Sequence, residues 1–519
     1  MRFKLLILLP AFLLAQQPDT VQIGFSKYIT VEGMKKNLSV LASDEYEGRE
    51  TGQKGQKMAA EYIKKYYQDL GIKPLANPQL KDGYTQSFPL AVFNPQEVKI
   101  STPAKTFANN TDYFCWANTI GDTAITINQI EFCGYGINTV VYNDYDKLNV
   151  NEKAVMILNE EPVKPNGTSM ISQSTEPSVW STNFRTKQSE AKKQGIKYLF
   201  IVDKDLQSSY AKFEHRITTS KMSIDVKTQP QYPFVIYISR EIADELMSPT
   251  KNTSAKIEDN ISKTAKSVHF EIKTPLTLKI SQKKFGVSAE NVMAYIEGSD
   301  LKDEVIVLSA HYDHLGVIDG KVYNGADDDG SGTVAIMQLA KAFTEAKTQG
   351  KGPRRSLLFL NVSGEEKGLL GSEYYSEHPV LPLAKTVCDL NIDMIGRLDD
   401  EHKKNSNYIY LIGSDKLSTD LHKISEQANK TYTKLELDYK YNDKNEPNRY
   451  YYRSDHYNFA KNGVPVIFYF NGVHEDYHQE TDEVQKIDFN KMEKITRLVF
   501  FTAWEVANRT ERLKVDGKN

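Results

Sequence analysis

The chain has 519 residues, of which 40% are hydrophobic and 26% charged, and a formal net charge of −3. That length exceeds what one ordinary core supports, so two or three domains are expected. The balanced charge offers no basic face and argues against a nucleic-acid partner, and only 3 cysteines rule out a disulfide-built scaffold.

The N-terminus opens with Arg2 and Lys4, runs apolar from Leu5 to Ala15, and turns polar at Gln16-Gln17-Pro18. Charged and apolar residues are segregated rather than periodic, which reads as a secretory signal peptide over residues 1–15 and an exported protein, periplasmic or extracellular. The apolar run is too short to span a bilayer. No cysteine follows it to take a lipid, and no later stretch is apolar enough to cross, so no membrane anchor is expected.

Helical spacing follows over Val31–Leu41 and again over Gln56–Leu70, carried there by Ala59, Ala60, Tyr62, Ile63, Tyr66, Tyr67 and Leu70 before Gly71. Thr85–Phe93 and Val98–Ser101 read as strands. From about residue 120 the texture changes: strands are expected at Ile125–Phe132, Lys153–Asn159, Ile196–Val202 and Pro233–Ile238, a helix at Arg240–Met247, and irregular chain over 162–183. Cys115 and Cys133 could pair, subject to geometry, whereas Cys388 reads as a small buried hydrophobe. Beyond residue 285, strands (Val292–Ile296, Val305–Ser309, Leu357–Val362, Asp389–Ile395, Tyr408–Ile412, Val466–Tyr469) alternate with helices (Gly332–Glu345, Gly368–Ser376, Ser418–Asn429, Asn490–Asn508). Such alternation implies an α/β sheet sandwiched by helices, with ligands at the carboxyl ends of its strands. The expected division is 20–118 and 285–519 for one domain and 120–265 for an inserted accessory domain.

The chemistry is concentrated where apolar runs end. His311 follows Val305–Ala310; Glu365 and Glu366 follow Leu357–Val362; Asp393 closes Leu390–Ile392; Asp327-Asp328-Asp329 lies in a Gly-rich turn before a helix. Imidazole and carboxylate together suit zinc, and also manganese or cobalt. Asp313 is placed to accept the second ring proton of His311. Three adjacent aspartates repel one another unless cations intervene, and one carboxylate can bridge two metals roughly 3.5 Å apart. Glu365 and Glu366 point in different directions in extended backbone, so one can bind metal while the other faces water. An unpaired charge at Asp393 would be costly to bury. His478 is the preferred last ligand, with His474 and His456 behind it. Taken singly, the Asp-rich turn could be a helix cap or a calcium loop, and the Glu pair a solvated face; together and in order they favour a metal site.

These motifs resemble the co-catalytic two-zinc peptidases, the family of secreted bacterial aminopeptidases, glutamate carboxypeptidase, glutaminyl cyclase and the transferrin receptor. The resemblance rests on His311-Tyr-Asp313, Gly325-Ala-Asp327-Asp328-Asp329-Gly-Ser-Gly, Gly364-Glu365-Glu366, Asp393-Met and Tyr477-His478 over residues 285–485, with Glu47-Gly-Arg49 to Gly71 resembling the opening of the same domain. It implies a three-layer helix-sheet-helix domain on a mostly parallel mixed sheet, and an inserted β-rich α/β protease-associated domain from Phe132-Cys-Gly-Tyr-Gly136 to about 265. It further implies two zinc ions bridged by Asp328, with His311 and Asp393 completing one site and Glu366 and His478 the other. Glu365 would be the general base, Asp313 would orient His311, and Tyr477 or Tyr451 would stabilise the oxyanion. The expected function is a metal-dependent exopeptidase acting on peptides, foremost an aminopeptidase. The alternatives are a carboxypeptidase for acidic dipeptides, for which Arg453 and Arg397 are available, and a non-catalytic metal-stabilised binding protein.

Overall fold

The computed structural model describes residues 19–116, 122–224 and 233–517. The leader segment expected over 1–15 lies outside the described residues. The chain separates into two compact units, one formed by Met1–Leu90 with Val287–Asn519 and the other by Ala91–Gly286.

The first unit is built on β1 (Thr85–Phe93), β2 (Lys284–Ile296), β3 (Leu301–His311), β4 (Arg355–Val362), β5 (Thr386–Ile392), β6 (Tyr408–Ile412), β7 (Glu436–Asp438) and β8 (Val466–Phe470), in the sheet order β7-β6-β8-β5-β3-β4-β2-β1. The central strands β4, β3, β5 and β8 run parallel, and β2 and β6 pair antiparallel on either side of them. The near-continuous apolar runs explain the parallel core. Every residue of β4 and β5 is buried, as strands covered on both faces require. Alternate side chains supply the two cores. Ile306, Leu308, Leu357 and Phe359 pack with α1 (Thr20–Ser26), α2 (Val31–Leu41), α3 (Lys54–Asp69), α4 (Gly332–Thr348) and α5 (Phe489–Asn508). Val305, Val307, Leu358 and Leu360 join Tyr375 and Phe459, from the short helices Leu370–Glu377 and His456–Ala460, on the other face. The result is the three-layer helix-sheet-helix arrangement on a mostly parallel mixed sheet that the sequence predicts.

Strand register determines where the chemistry emerges. His311 pairs with Val362 across β3 and β4, Ser309 with Asn391 across β3 and β5, and Ile392 with Tyr469 across β5 and β8. His311, Glu365 and Asp393 therefore leave the sheet at one carboxyl edge.

The second unit has its own six-stranded sheet, in the order His269–Ile272, Ile130–Cys133, Ala154–Leu158, Tyr198–Asp203, Phe234–Ser239, Tyr113–Trp116, and a three-stranded sheet of Glu97–Ser101, Leu276–Ser281 and Thr123–Ile127. The single strand read over Ile125–Phe132 is two strands in different sheets, broken at Asn128-Gln129. The unit begins at Ala91, not near residue 120, because Glu97–Ser101 pairs with Leu276–Ser281 and Tyr113–Trp116 with Phe234–Ser239. These long-range pairings carry no local signature. Cys115 and Cys133 stand on opposite sides of the six-stranded sheet and are both free, so the pairing left open by the sequence does not form.

Candidate metal centre

The Asp-rich loop is shaped by hydrogen bonds that leave one carboxylate of three facing His311 and His478. Asp327 and Asp328 donate their backbone N–H groups to the Asp482 carboxylate at 3.0 and 3.1 Å. Asp327 accepts from Gly396 N at 2.6 Å and lies 3.3 Å from His474 Nε2. Asp329 accepts from Gly332 N at 2.8 Å and Met394 N at 3.1 Å. Asp328 faces the cluster: its carboxylate is 3.3 Å from His311 Nε2 and 3.1 Å from His478 Nε2. Gly325, at φ 53, opens this loop, and a Cβ there would sit 2.4 Å from His314 Cγ; only glycine lets the loop approach that ring.

Two groups of donors share Asp328. His311, Asp328 and Asp393 form one; His314, Asp328 and Glu366 form the other; within each group the ligand atoms lie within 4.8 Å of one another. His311 Nε2 is 3.6 Å from Asp393 Oδ1. His478 Nε2 is 3.2 Å from Glu366 Oε2, and His314 Nδ1 is 2.9 Å from Glu366 Oε1. All five ligands expected from the sequence thus meet at one place. His314 joins them without having been assigned a role, although it sits three residues after His311 in the same motif. His474 belongs instead to Asp327, and the fully buried His456 stacks on Phe468 at 4.7 Å.

Asp313 is placed differently from expectation. His311 Nδ1 lies 3.1 Å from the Asp313 backbone oxygen and 3.8 Å from its carboxylate. That carboxylate accepts from Thr51 Oγ1 at 2.6 Å and from Glu365 N at 3.3 Å. The Asp313 main chain, not its carboxylate, is thus the nearer partner of the ring, and the carboxylate holds the backbone of Glu365.

Electrostatics show what the cluster lacks. Burial opposes charge on His311, but the Asp393 and Glu365 carboxylates outweigh it and hold the imidazole well above its usual range. Burial likewise opposes ionisation of Asp328, yet the His311 and His478 imidazoles, 3.3 and 3.1 Å away, keep its carboxyl well below the usual range. Glu366, buried beside Asp328 but facing the His314 and His478 imidazoles, is held down to about 2. Glu365 is pushed well up by burial and by Glu366, Asp393 and Asp455, with His311 opposing. Protons on the imidazoles here stand where cations would neutralise the carboxylates. His311 Nε2, both ring nitrogens of His314 and Glu366 Oε1 are buried without a hydrogen bond of good geometry. Such atoms are costly to bury unless something coordinates them, and a mixed imidazole–carboxylate set suits zinc, manganese or cobalt. The residues fit a metal pair.

A pH test follows for metal-free protein. Burial lowers the His478 pKa, but the Asp328 and Glu366 carboxylates override it and raise it to about 10. A raised imidazole stabilises the fold fully below its unfolded pKa, about 6.5, and loses that contribution as pH climbs through the folded value. The Tm of chelated protein is therefore expected to fall between about pH 6.5 and 10, and the decline should flatten in His478→Gln.

A narrow cleft leads to the cluster, lined by Asp328, Glu365 and Asp393 together with Met394, Tyr450, Arg453, Phe468, Phe470, Val473 and Tyr477. Tyr477 stacks on His478 at 3.9 Å and its hydroxyl accepts from Arg453 Nη2 at 3.3 Å. Burial and the Asp328 and Glu366 carboxylates raise its pKa strongly, so it remains a proton donor. Tyr451 does not line this cleft; it packs beside His456 and beneath the Lys416 ammonium, 4.9 Å from the ring. Consecutive tyrosines in the short turn Tyr450–Tyr452 face different ways, and Tyr450 takes the cleft side.

A mostly parallel α/β sheet here gathers imidazoles and carboxylates around a shared aspartate, a domain with a candidate metal-binding centre. Residues 291–503 match the family model of Peptidase family M28. Among curated relatives, a "Probable zinc metalloprotease" of Pyrenophora tritici-repentis is 27% identical over 43% of this chain and 52% of its own length. A "Vacuolar membrane protease" of Tuber melanosporum is 38% identical over 19% of this chain and 10% of its own length. The chain thus spans about half or less of these relatives. A solved structure, "Aminopeptidase from Aneurinibacillus sp. strain AM-1", shares the fold with a TM-score of 0.53 at 16% identity, covering 96% of this chain and 98% of that one. No helix among the described residues is long and apolar enough to cross a membrane.

Proposed function

We propose that this protein is an exported zinc-dependent exopeptidase, foremost an aminopeptidase, that hydrolyses N-terminal residues from peptides. The observation that carries this reading is the sharing of Asp328 between two donor groups beside Glu365, at the end of a cleft with apolar walls. His311, Asp328 and Asp393 would hold one ion, and Asp328, Glu366 and His478 the other, with His314 close to Glu366. A bound metal pair supplies Lewis acidity that brings the pKa of water towards neutrality and polarises a carbonyl.

The chain's own groups do the rest. Glu365 lines the cleft without being committed to an imidazole, since His311 Nε2 is 3.9 Å away. It takes the proton of the attacking water and returns it to the leaving amine. The Tyr477 hydroxyl, kept protonated, donates to the oxygen that becomes negative as the carbonyl is attacked. Phe468, Phe470 and Val473 exclude water from the side chain of the cleaved residue. The second unit is the reading's protease-associated accessory domain.

The test is hydrolysis of a panel of free-amine, N-blocked and C-terminally acidic peptides, with and without chelator. The reading expects chelator-sensitive cleavage of free-amine substrates. N-blocked peptides cleaved at equal rates, or no hydrolysis in any arm, would sink it.

One observation keeps the carboxypeptidase alternative in view. Arg453, the cation of the cleft, lies over the Tyr450 ring at 5.0 Å and has no carboxylate partner among the described residues. A guanidinium so placed can grip a substrate carboxylate. If it does, Arg453→Met should lower kcat/KM for peptides with a terminal acidic residue by about 10- to 100-fold while sparing neutral ones. Equal losses on both classes would show that Arg453 only supports Tyr477.

A further inference from the structure

The segment Glu47–Thr51 lies far from the metal motifs in sequence, yet it touches most of them. Glu47, Gly48 and Arg49 have φ of 49, 61 and 50°, three successive residues in the left-handed region. Residues with a Cβ adopt that conformation only when their surroundings impose it. A Cβ on Gly48 would lie 2.4 Å from the Tyr323 oxygen and 2.6 Å from that of Gly316, so the turn is pressed against the neighbouring loop.

Within this turn Arg49 is fully buried. Its guanidinium donates to backbone oxygens at Tyr312 (2.7 Å), Leu41 (2.7 Å), Asn324 (2.7 Å) and Gly325 (2.9 Å). Tyr312 lies between His311 and Asp313, and Asn324–Gly325 lead into Asp328. One side chain therefore ties both ligand-bearing loops to the end of α2. It makes no ion pair among the described residues, and burial lowers its pKa, countered only in part by the carboxylates of Asp313, Asp482, Asp328 and Asp329. Two further links run from the same segment. The Arg49 carbonyl accepts from His314 N at 3.3 Å, and Thr51 Oγ1 donates to Asp313 Oδ2 at 2.6 Å. Asp313 in turn receives Glu365 N at 3.3 Å.

We propose that Arg49 and Thr51 are positioning residues that hold His311, His314, Asp328 and Glu365 in register for the metal pair. The inference rests on the metal-site reading above but not on which peptides are cleaved. A planar guanidinium can span separate carbonyls with a fixed fork, which a lysine ammonium cannot reproduce. Its charge adds to the loops what the carboxylates need before any metal arrives. Direct hydrogen-bond partners of metal ligands typically change metal affinity by about 10- to 100-fold; Arg49 and Thr51 act one link further out, through the residues beside the ligands.

The experiment titrates chelated full-length protein with Co²⁺, followed by visible absorption, in wild type, Arg49→Lys, Arg49→Met, Thr51→Val and Thr51→Ser. Steady-state kinetics at saturating metal and thermal unfolding of the metal-free proteins accompany it. Arg49→Met and Thr51→Val are expected to weaken Co²⁺ binding by about 10- to 100-fold and to alter the Co²⁺ spectrum. They should lower kcat with KM nearly unchanged, and Thr51→Ser should restore both. Arg49→Lys should fall between wild type and Arg49→Met. Wild-type affinity, spectrum and kcat in folded Arg49→Lys and Thr51→Val would overturn the proposal. If Arg49→Met does not fold, the Thr51 pair decides, because it changes a single hydroxyl. Failure of wild type to bind Co²⁺ would instead overturn the metal-site reading itself.

Discussion

Glu365→Gln is expected to lower kcat by about 100- to 10,000-fold while the protein keeps its metal content and binds substrate with a KM within a few-fold of wild type. The reason lies in the division of labour between neighbours. Glu366 faces the His314 and His478 imidazoles and belongs to the donor cluster, whereas Glu365 lines the cleft and is pushed well up by burial and by surrounding carboxylates. Cations in the cluster would offset those carboxylates and bring Glu365 back towards the range of a working base. Glutamine preserves its shape and its hydrogen bonds but cannot take a proton. Single-turnover hydrolysis together with metal analysis checks this. A variant that loses its metal along with its activity would move Glu365 into the ligand set, and one that retains most of its activity would remove it from the mechanism.

The second large effect is expected at Asp328. Both donor groups contain it, so Asp328→Ala should abolish binding of both ions, whereas Asp393→Ala should weaken one group and leave His314, Asp328 and Glu366 intact. Removing the shared carboxylate also takes from His311 and His478 one of the carboxylates that stabilise their charge. In metal-free protein the loss of one partner of a buried pair costs about 3–5 kcal/mol, less whatever is recovered as the imidazoles shed their protons. Zinc analysis after equilibrium dialysis separates the two variants. Equal metal loss in both would argue that Asp328 is not shared.

Much of this site is legible in the chain because ligands sit where buried strands stop. The run Val305–Ala310 ends on His311, Leu357–Val362 leads to Glu365 and Glu366, and Leu390–Ile392 ends on Asp393. An apolar run followed at once by a charged residue marks a parallel strand opening onto a site. The triplet Asp327-Asp328-Asp329 is legible as a loop. Its division of roles is not, because Asp327 and Asp329 are consumed by backbone N–H groups from Gly396, Gly332 and Met394 that only the fold brings near. Arg49 is silent for the same reason: its partners are carbonyl oxygens, one of them 263 positions away, and a carbonyl has no sequence identity. Tyr450 and Tyr451 are indistinguishable until the short turn aims one at the cleft. The start of the second unit at Ala91 depends on strands that pair across nearly its whole length, which periodicity in a short window does not register.

Anomalous diffraction at the zinc edge, from crystals of the full chain equilibrated with zinc, tests the central claim most directly. The account predicts two peaks roughly 3.5 Å apart, one on each side of the Asp328 carboxylate, the first beside His311 and Asp393 and the second beside Glu366 and His478. A single peak, or peaks that do not touch Asp328, would contradict it.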